Sequence, residues 1–194
     1  GAVTAPSGSL TFVVPTAVSH VRVFRCLESI RKHVPGAEIV LVANGYTPLP
    51  ELSAMAHKVV LLETNLGFAA GSNRGLMEAT KPVVCFLNDD ARFVDAETPR
   101  RLLASLGEAS IVAPYSNAAK PPQGDHAREA APAEHMHPEM VTGLCMMMRT
   151  DLARALGGFD PRLNTWEDDD LCMRARRLGH RCRIVGGTWV DHER

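Results

Sequence analysis

The sequence predicts a single α/β domain, a mostly parallel sheet flanked by helices, and three observations lead to it. Apolar, β-branched runs of strand length alternate with stretches of helical period along most of the chain. Strand, helix and strand follow one another over residues 10–43 at the spacing of a parallel pair with a right-handed crossover. The run over 83–90, V-V-C-F-L-N-D-D, reads as a buried strand that ends abruptly in Asn88, Asp89 and Asp90. In open α/β sheets ligands bind beyond the carboxyl ends of the strands, and those polar side chains would stand there. With 194 residues the chain suits one sizeable core.

Residues 1–9, G-A-V-T-A-P-S-G-S, read as a flexible leader, and 10–194 as the domain. Residues 10–15 form a strand closed by Pro15, with Thr16 and Ser19 as candidate caps of a helix over 21–33, where apolar residues fall at 23, 24, 27 and 30. Pro35-Gly36 breaks that helix, 38–43 is a second strand, and Asn44-Gly45 turns after it. A short helix over 50–56 leads to a third strand at 58–62. In T-N-L-G-F-A-A-G-S-N-R-G, residues 64–75, glycines 67, 71 and 75 fall four apart, so on a helix they share one face. Close packing of helix on sheet is the simpler reading of that face, and close approach of a ligand is the other.

The helix runs on to Thr80 and ends at Lys81-Pro82, ahead of the central strand. After Asp90 a loop precedes a helix near 98–106, with Pro99 in its first turn, and then a strand at 109–114. Residues 116–138, rich in Ala, Pro, Gly and His and without period, read as a mobile lid or a disordered segment. His126, His135 and His137 within it are expected to be solvated sooner than zinc-bound. A strand over 141–149 follows, with Thr150 or Asp151 capping a short helix that ends at Gly157-Gly158. W-E-D-D-D at 166–170 opens another helix, and 181–190 is a final strand with Asp191-His192 at its carboxyl end.

Composition removes several classes of function. A net charge of −1 argues against nucleic acid as a partner, because phosphate-backbone binding needs a basic footprint. The five arginines of 174–183 alternate with Leu and Ala in a helical pattern and read as a solvated helix face. Five dispersed cysteines, at 26, 85, 145, 172 and 182, show no C-x-x-C spacing and suit a reducing, cytoplasmic setting. No apolar run approaches the ~18 residues of a membrane span, so any membrane contact is expected to be peripheral.

Two acidic clusters carry the chemistry. Adjacent carboxylates at the end of a buried strand repel one another and call for something positive, and a divalent metal holding a phosphorylated ligand meets that need. A surface turn is the plain alternative, since Asn and Asp are ordinary turn formers. The four acids Glu167–Asp170 complement a helix dipole, Thr165-x-x-Asp168 resembles a capping box, and Asp170 can pair with Arg174. Such pairing explains one or two acids; a carboxylate at the rim of a cleft could also take a proton from an attacking hydroxyl. His192 after its strand could be a metal ligand facing Asp90 across the same cleft.

Taken together, V-V-P-T, the strand ending A-N-G, N-L-G-F-A-A-G-S-N-R-G, F-L-N-D-D, G-L-C-M-M-M-R, G-G-F-D, W-E-D-D-D-L-C-M-R and a late histidine occur in the order of the family 2 glycosyltransferases. The likeness is closest to rhamnosyltransferase-like members and spans Leu10 to His192. It implies a GT-A-type, Rossmann-like fold and an enzyme that moves a hexosyl group from a nucleotide-diphosphate sugar to a hydroxyl on a glycan, lipid-linked or small acceptor, with inversion. Pro15, Thr16 and Asn44 match nucleotide-contacting loops, and Asn65, Gly67, Asn73 and Arg74 the segment lining nucleoside and diphosphate. Asn88 and Asp89 match the diphosphate side of the metal motif. Asp90 matches its direct ligand to Mg²⁺ or Mn²⁺, and His192 a late metal-binding histidine. Glu167 and Asp168 match the catalytic E-D pair, Asp168 as base, and Gly143 the acceptor-side wall.

The chain departs from the family pattern at Ala43, where an acid often contacts the base, so the sequence names no donor nucleotide. Two further classes compete. A nucleotidyltransferase shares the core and paired acids, but the chain has no early Gly-rich loop with a basic residue for a triphosphate. A non-catalytic nucleotide- or carbohydrate-binding module would be free to lose Asp90 or Asp168, and both are present.

Overall fold

The structure, a computed structural model, describes residues 7–17, 20–124 and 126–193. Ser19 and the first six residues of the expected leader lie outside them, and Ser7–Ser9 form a 3₁₀ turn. The strands are β1 (Leu10–Thr16), β2 (Glu38–Asn44), β3 (Lys58–Leu62), β4 (Val83–Leu87), β5 (Ala91–Phe93), β6 (Ile111–Ser116), β7 (Cys145–Arg149) and β8 (Cys182–His192). The helices are α1 (His20–His33), α2 (Pro50–Met55), α3 (Gly67–Glu78), α4 (Glu97–Ser105), α5 (Thr150–Ala155) and α6 (Glu167–Arg177).

One sheet takes the order β3-β2-β1-β4-β7-β6-β8-β5. β1, β2, β3 and β4 run parallel, as the apolar runs and crossover spacing require. The strap after β6 returns β7 antiparallel between β4 and β6, and β8 resumes the direction of β6. Four of the seven adjacencies are parallel.

Both faces of the sheet are covered, so β1, β2 and β4 are buried from end to end. Their side chains alternate between two cores. Phe12, Val14, Ile39, Leu41, Cys85 and Leu87 pack with Leu27 and Ile30 of α1 and Leu102 of α4. Val13, Val40, Val42, Val84 and Phe86 pack with Leu76 of α3 and Leu171 and Cys172 of α6. Each fully buried aliphatic side chain contributes about 1.5–3 kcal/mol.

The glycines of α3 make this second layer close. A Cβ at Gly75 would run into Val13 Cγ1 and meet Val42 Cγ2 at 3.0 Å, and one at Gly71 would meet Pro15 Cβ at 3.3 Å. Small-residue packing thus accounts for two of the three spaced glycines. Gly67 has open space around it and begins the helix at φ +81°, a conformation that suits glycine.

Three local expectations change. The capping box is not formed: Trp166 is the N-cap of α6, at φ 70°, with no side-chain cap bond, because Asp168 is drawn instead to the Gly143 and Asp169 amides. Neither Thr150 nor Asp151 caps α5; Arg149 stands at the cap, and the Thr150 hydroxyl donates to Lys81 O. The loop expected after Asp90 contains β5, whose three residues are too few to show a period and form through long-range pairing, with Ala91 opposite His192.

The described residues of the segment, 117–124 and 126–138, are anchored at several points. The amide nitrogen of Gln123, 2% exposed, donates to Pro114 O, and its oxygen accepts from Thr142 N. Further on, Met136 and Ile184 exchange backbone bonds, and Gly187 N donates to Pro132 O. Of its histidines, His135 accepts from Gly186 N and His126 packs edge-on against Tyr115.

Gly75→Ala is expected to lower the melting temperature by roughly 2 to 12 °C through overpacking, whereas Gly8→Ala, with nothing within 4 Å, leaves it unchanged. Equal melting of the two variants would contradict the packing. Gln123→Ala is expected to leave the global melt nearly in place while trypsin cuts at Arg128 several times faster; unchanged cleavage would show that Gln123 does not hold the strap.

Candidate active site

Burial of β1 and β4 brings their polar ends together. Thr16, 3% exposed, bonds the Asp89 carboxyl. Burial pushes that carboxyl up; the Thr16 bond opposes the rise, Asp90 adds to it, and Arg22 pulls it down again. Arg22 Nη1 lies 3.8 Å from Asp90 Oδ2. Behind this tip the buried Cys26 thiol is pushed well up, first by burial and then by Asp89 and Asp90. Tyr46, which carried no signal in the sequence, donates to Thr16 Oγ1 at 3.4 Å.

The pairing of β5 with β8 delivers His192 to the same place. Its Nε2 lies 3.0 Å from Asp90 Oδ1 and 3.3 Å from Asn88 Nδ2. An octahedral ion with ligand bonds of ~2.1 Å sets neighbouring ligands about 3.0 Å apart, so this pair is spaced as two ligands of one ion. An imidazole with a carboxylate suits Mn²⁺, and Mg²⁺ is commonly held by one or two carboxylates with waters and substrate phosphates. Among the described residues no three His, Cys, Asp or Glu side chains converge. The Asp90–His192 pair therefore fits an ion that shares its coordination with a ligand.

The loop before α3 is held by its own asparagines. Asn44, 4% exposed, accepts from Leu66 N and donates to Gly67 O, and Asn65 accepts from Gly67 N. Asn44 thus shapes the loop from beneath, while Asn65 and Gly67 are exposed on it. Asn73 points elsewhere: its amide clamps both backbone groups of Phe159 at 2.7 and 2.8 Å, tying the G-G-F-D turn to α3. Arg74 is exposed on α3.

The acids at the start of α6 divide their tasks. Asp170 pairs with Arg174 at 2.7 Å, and Arg174 also donates to the carbonyls of Leu156 and Gly158. Asp168, 9% exposed, accepts from Gly143 N through Oδ2 and from Asp169 N through Oδ1, both at 2.9 Å. Lys120 Nζ reaches Asp169 at 3.0 Å and Asp168 at 3.6 Å and lies 4.4 Å from the centre of the Trp166 ring. Glu167 Oε2 is buried and has no hydrogen-bond partner among the described residues. Lys120 had no signal in an aperiodic segment; only the surplus of acids at 167–170 pointed to a missing cation.

A cleft of about 250 Å³ is lined by Phe68, Asn88, Thr142, Gly143, Leu144, Glu167 and Asp168. Asn88, which lines this cleft just past the carboxyl end of β4, also lies 3.3 Å from His192, so the Asp90–His192 pair adjoins it. A larger cavity of about 550 Å³, lined by Leu106, Ser110, Arg149 and His180 among others, lies by the amino end of β6 and holds none of these groups. The smaller cleft is the candidate site: a carboxylate with an unpartnered buried oxygen and an amide-fixed carboxylate line it, and the Asp90–His192 pair adjoins it.

Solved structures with this architecture include the mannosyltransferase PcManGT from Pyrobaculum calidifontis in complex with GDP-Man and Mn²⁺, at a TM-score of 0.75 and 20% identity over 97% of this chain and 59% of that one. S. aureus TarS 1-349 in complex with UDP superposes at 0.71, also 20% identical, over 94% of this chain and 60% of that one. These likenesses show the GT-A fold. A pre-mycofactocin glycosyltransferase of Mycobacterium tuberculosis (strain CDC 1551 / Oshkosh) is 28% identical over 217 positions, 97% of this chain and 44% of the relative. The chain thus spans less than half the length of that relative. The sequence model of glycosyl transferase family 2 matches residues 11–151, and the chain belongs to that family.

Proposed function

We propose that the chain carries a metal-dependent, inverting glycosyltransferase site that moves a hexosyl group from a nucleotide-diphosphate sugar to a hydroxyl acceptor. The observation that supports this reading is Asn88, which lines one cleft with Asp168 and lies 3.3 Å from His192 of the Asp90–His192 pair, so a candidate base and a candidate metal position are linked through one side chain. The GDP-Man, Mn²⁺ and UDP bound by the neighbouring structures support the same ligand classes.

Asp168 accepts the proton of the acceptor hydroxyl as its oxygen attacks the anomeric carbon, opposite the departing diphosphate. The Gly143 and Asp169 amides fix the direction of that carboxylate and leave its remaining lone pairs for the proton. Glu167, whose Oε2 lacks a partner, accepts from a hydroxyl of the sugar or acceptor. A divalent cation held by Asp90 and His192 would offset the charge gathering on the leaving diphosphate. Thr16, Asp89, Asn65 and Gly67 border the nucleotide side, with Asn44 supporting their loop. One base without a second nucleophilic carboxylate is the arrangement for inversion.

A rhamnosyl donor agrees with the closest motif likeness. Five free cysteines, with the Cys85 and Cys145 thiols hydrogen-bonded at 3.7 Å and not joined in a disulfide, support a reducing, cytoplasmic setting. No helix among the described residues is long and apolar enough to cross a membrane.

A thermal-shift panel of UDP, dTDP, GDP and CMP, with and without Mn²⁺, tests the donor site. One nucleotide at a hundredfold excess over its Kd is expected to raise the melting temperature by roughly 5 to 10 °C. The shift requires Mn²⁺ and is lost in Asp90→Ala; no shift with any nucleotide would sink the reading. Asp168→Asn is expected to lower kcat by about 10²- to 10⁴-fold while leaving the nucleotide shift intact. Wild-type turnover by that variant would remove Asp168 as the base.

A further inference from the structure

We propose that Lys120 is a positioning residue, the counter-ion that pairs with both the Asp168 and Asp169 carboxylates and holds them in place beside the cleft. Its bearing on catalysis rests on Asp168 acting as the base; the charge pairing itself does not.

Asp168 and Asp169 are successive residues, 9% and 7% exposed, so two like charges share a site with little water to screen them. Such a pair tends to keep a proton unless a positive group stands close by. The groups facing it are few, and Glu139, which lines the same hollow as Lys120 and Asp169, is paired with Arg176 at 3.2 Å. Glu167 precedes it on α6 and Cys172 lies a turn further along, close enough to sense the Asp168 charge. The Gly143 amide approaches from the segment before β7. Asp170 is committed to Arg174. Among the described residues Lys120 alone brings a full positive charge within ion-pair distance of either carboxylate.

The lysine is placed by a built turn. Lys120 N donates to Thr142 Oγ1, its carbonyl accepts from Gln123 N and Gly124 N, and Gln123 locks the turn to Pro114 and Thr142. Thr142 precedes the Gly143 whose amide holds Asp168, so one short stretch of chain delivers both contacts. Trp166 completes the seat: it is 63% exposed, sits at φ 70° and presents its ring to the ammonium. A non-glycine residue persists in that left-handed region only where its surroundings impose it. Burial opposes the Lys120 charge, yet its bonds to Asp169 and Asp168 outweigh that and push the ammonium above the ordinary lysine range.

The sign is fixed by this arrangement. A cation favours the ionised carboxylate, so its removal makes the pair hold a proton to higher pH. Lys120→Met keeps an unbranched apolar stem over Trp166 and removes only the charge, and Lys120→Arg restores it.

The test is a carbon-13 NMR titration of the aspartate carboxyl groups in the full chain, assigned with Asp168→Asn and Asp169→Asn. In Lys120→Met the titration midpoint of at least one of the two carboxyls is expected to rise by about one pH unit or more, tenfold in proton affinity, and Lys120→Arg is expected to reverse the rise. Midpoints unchanged from the wild type would overturn the proposal. The reciprocal measurement needs no lysine variant: the Lys120 ammonium is expected to titrate lower in Asp169→Asn, and an unmoved midpoint would count equally against it. Neither titration needs a donor or acceptor, so failure here is distinct from failure of the transferase reading, which the nucleotide panel decides. With a nucleotide sugar that the wild type turns over, the acid limb of kcat/KM is expected to move to higher pH in Lys120→Met, and a limb that stays put would take Lys120 out of the catalytic cycle.

Discussion

Repulsion among carboxylates gathered at one end of a buried sheet governs how this site is built. Asp89 and Asp90 follow β4, and Glu167, Asp168 and Asp169 begin α6; Glu167 and Asp168 line a cleft with Asn88, which precedes Asp89 and reaches His192 beside Asp90. Each group is met differently. Asp90 has His192 and Arg22, Asp89 has the Thr16 hydroxyl, and Asp168 has two backbone amides. Lys120 balances Asp168 and Asp169 together. The buried Glu167 oxygen remains without a partner among the described residues, and in the proposed reading it and the Asp90–His192 pair are left for the ligand.

The fold follows from that requirement as much as from its cores. β1 and β4 must be neighbours for Thr16 to reach Asp89, and parallel strands with covering helices on both faces provide this. β5 is only three residues long, but without its pairing to β8 His192 would not lie beside Asp90. The antiparallel β7 starts late, at Cys145, because Gly143 N is given to Asp168 and Leu144 O to Asn88 N. A Cβ at Gly143 would press on Asp168 Cβ at 3.2 Å, so the glycine lets the carboxylate come close.

Legibility tracked the range of the interaction. The buried strands and the longer helices were legible because their signals are local and periodic: 58–62 matches β3 residue for residue, and the α1 period appears in 21–33. The tip of β4 could be picked out because three polar residues break an apolar run. Long-range pairing was hidden. Nothing in A-R-F announces a strand, and nothing in 116–138 marks Lys120 or the interlocked Gln123. Asn73 illustrates the opposite hazard, since its place in a ligand-lining motif gives no hint that both amide atoms are spent on Phe159. Thr165-x-x-Asp168 has the spacing of a cap, but Asp168 is worth more to the site than to the helix end.

Manganese anomalous scattering from crystals grown with Mn²⁺ and the stabilising nucleotide diphosphate tests the central claim most directly. A peak at about 2.1–2.2 Å from both Asp90 Oδ1 and His192 Nε2, with diphosphate oxygens on the same ion, is the predicted result. Bound nucleotide with no peak there, or a manganese ion held by other residues, would contradict it.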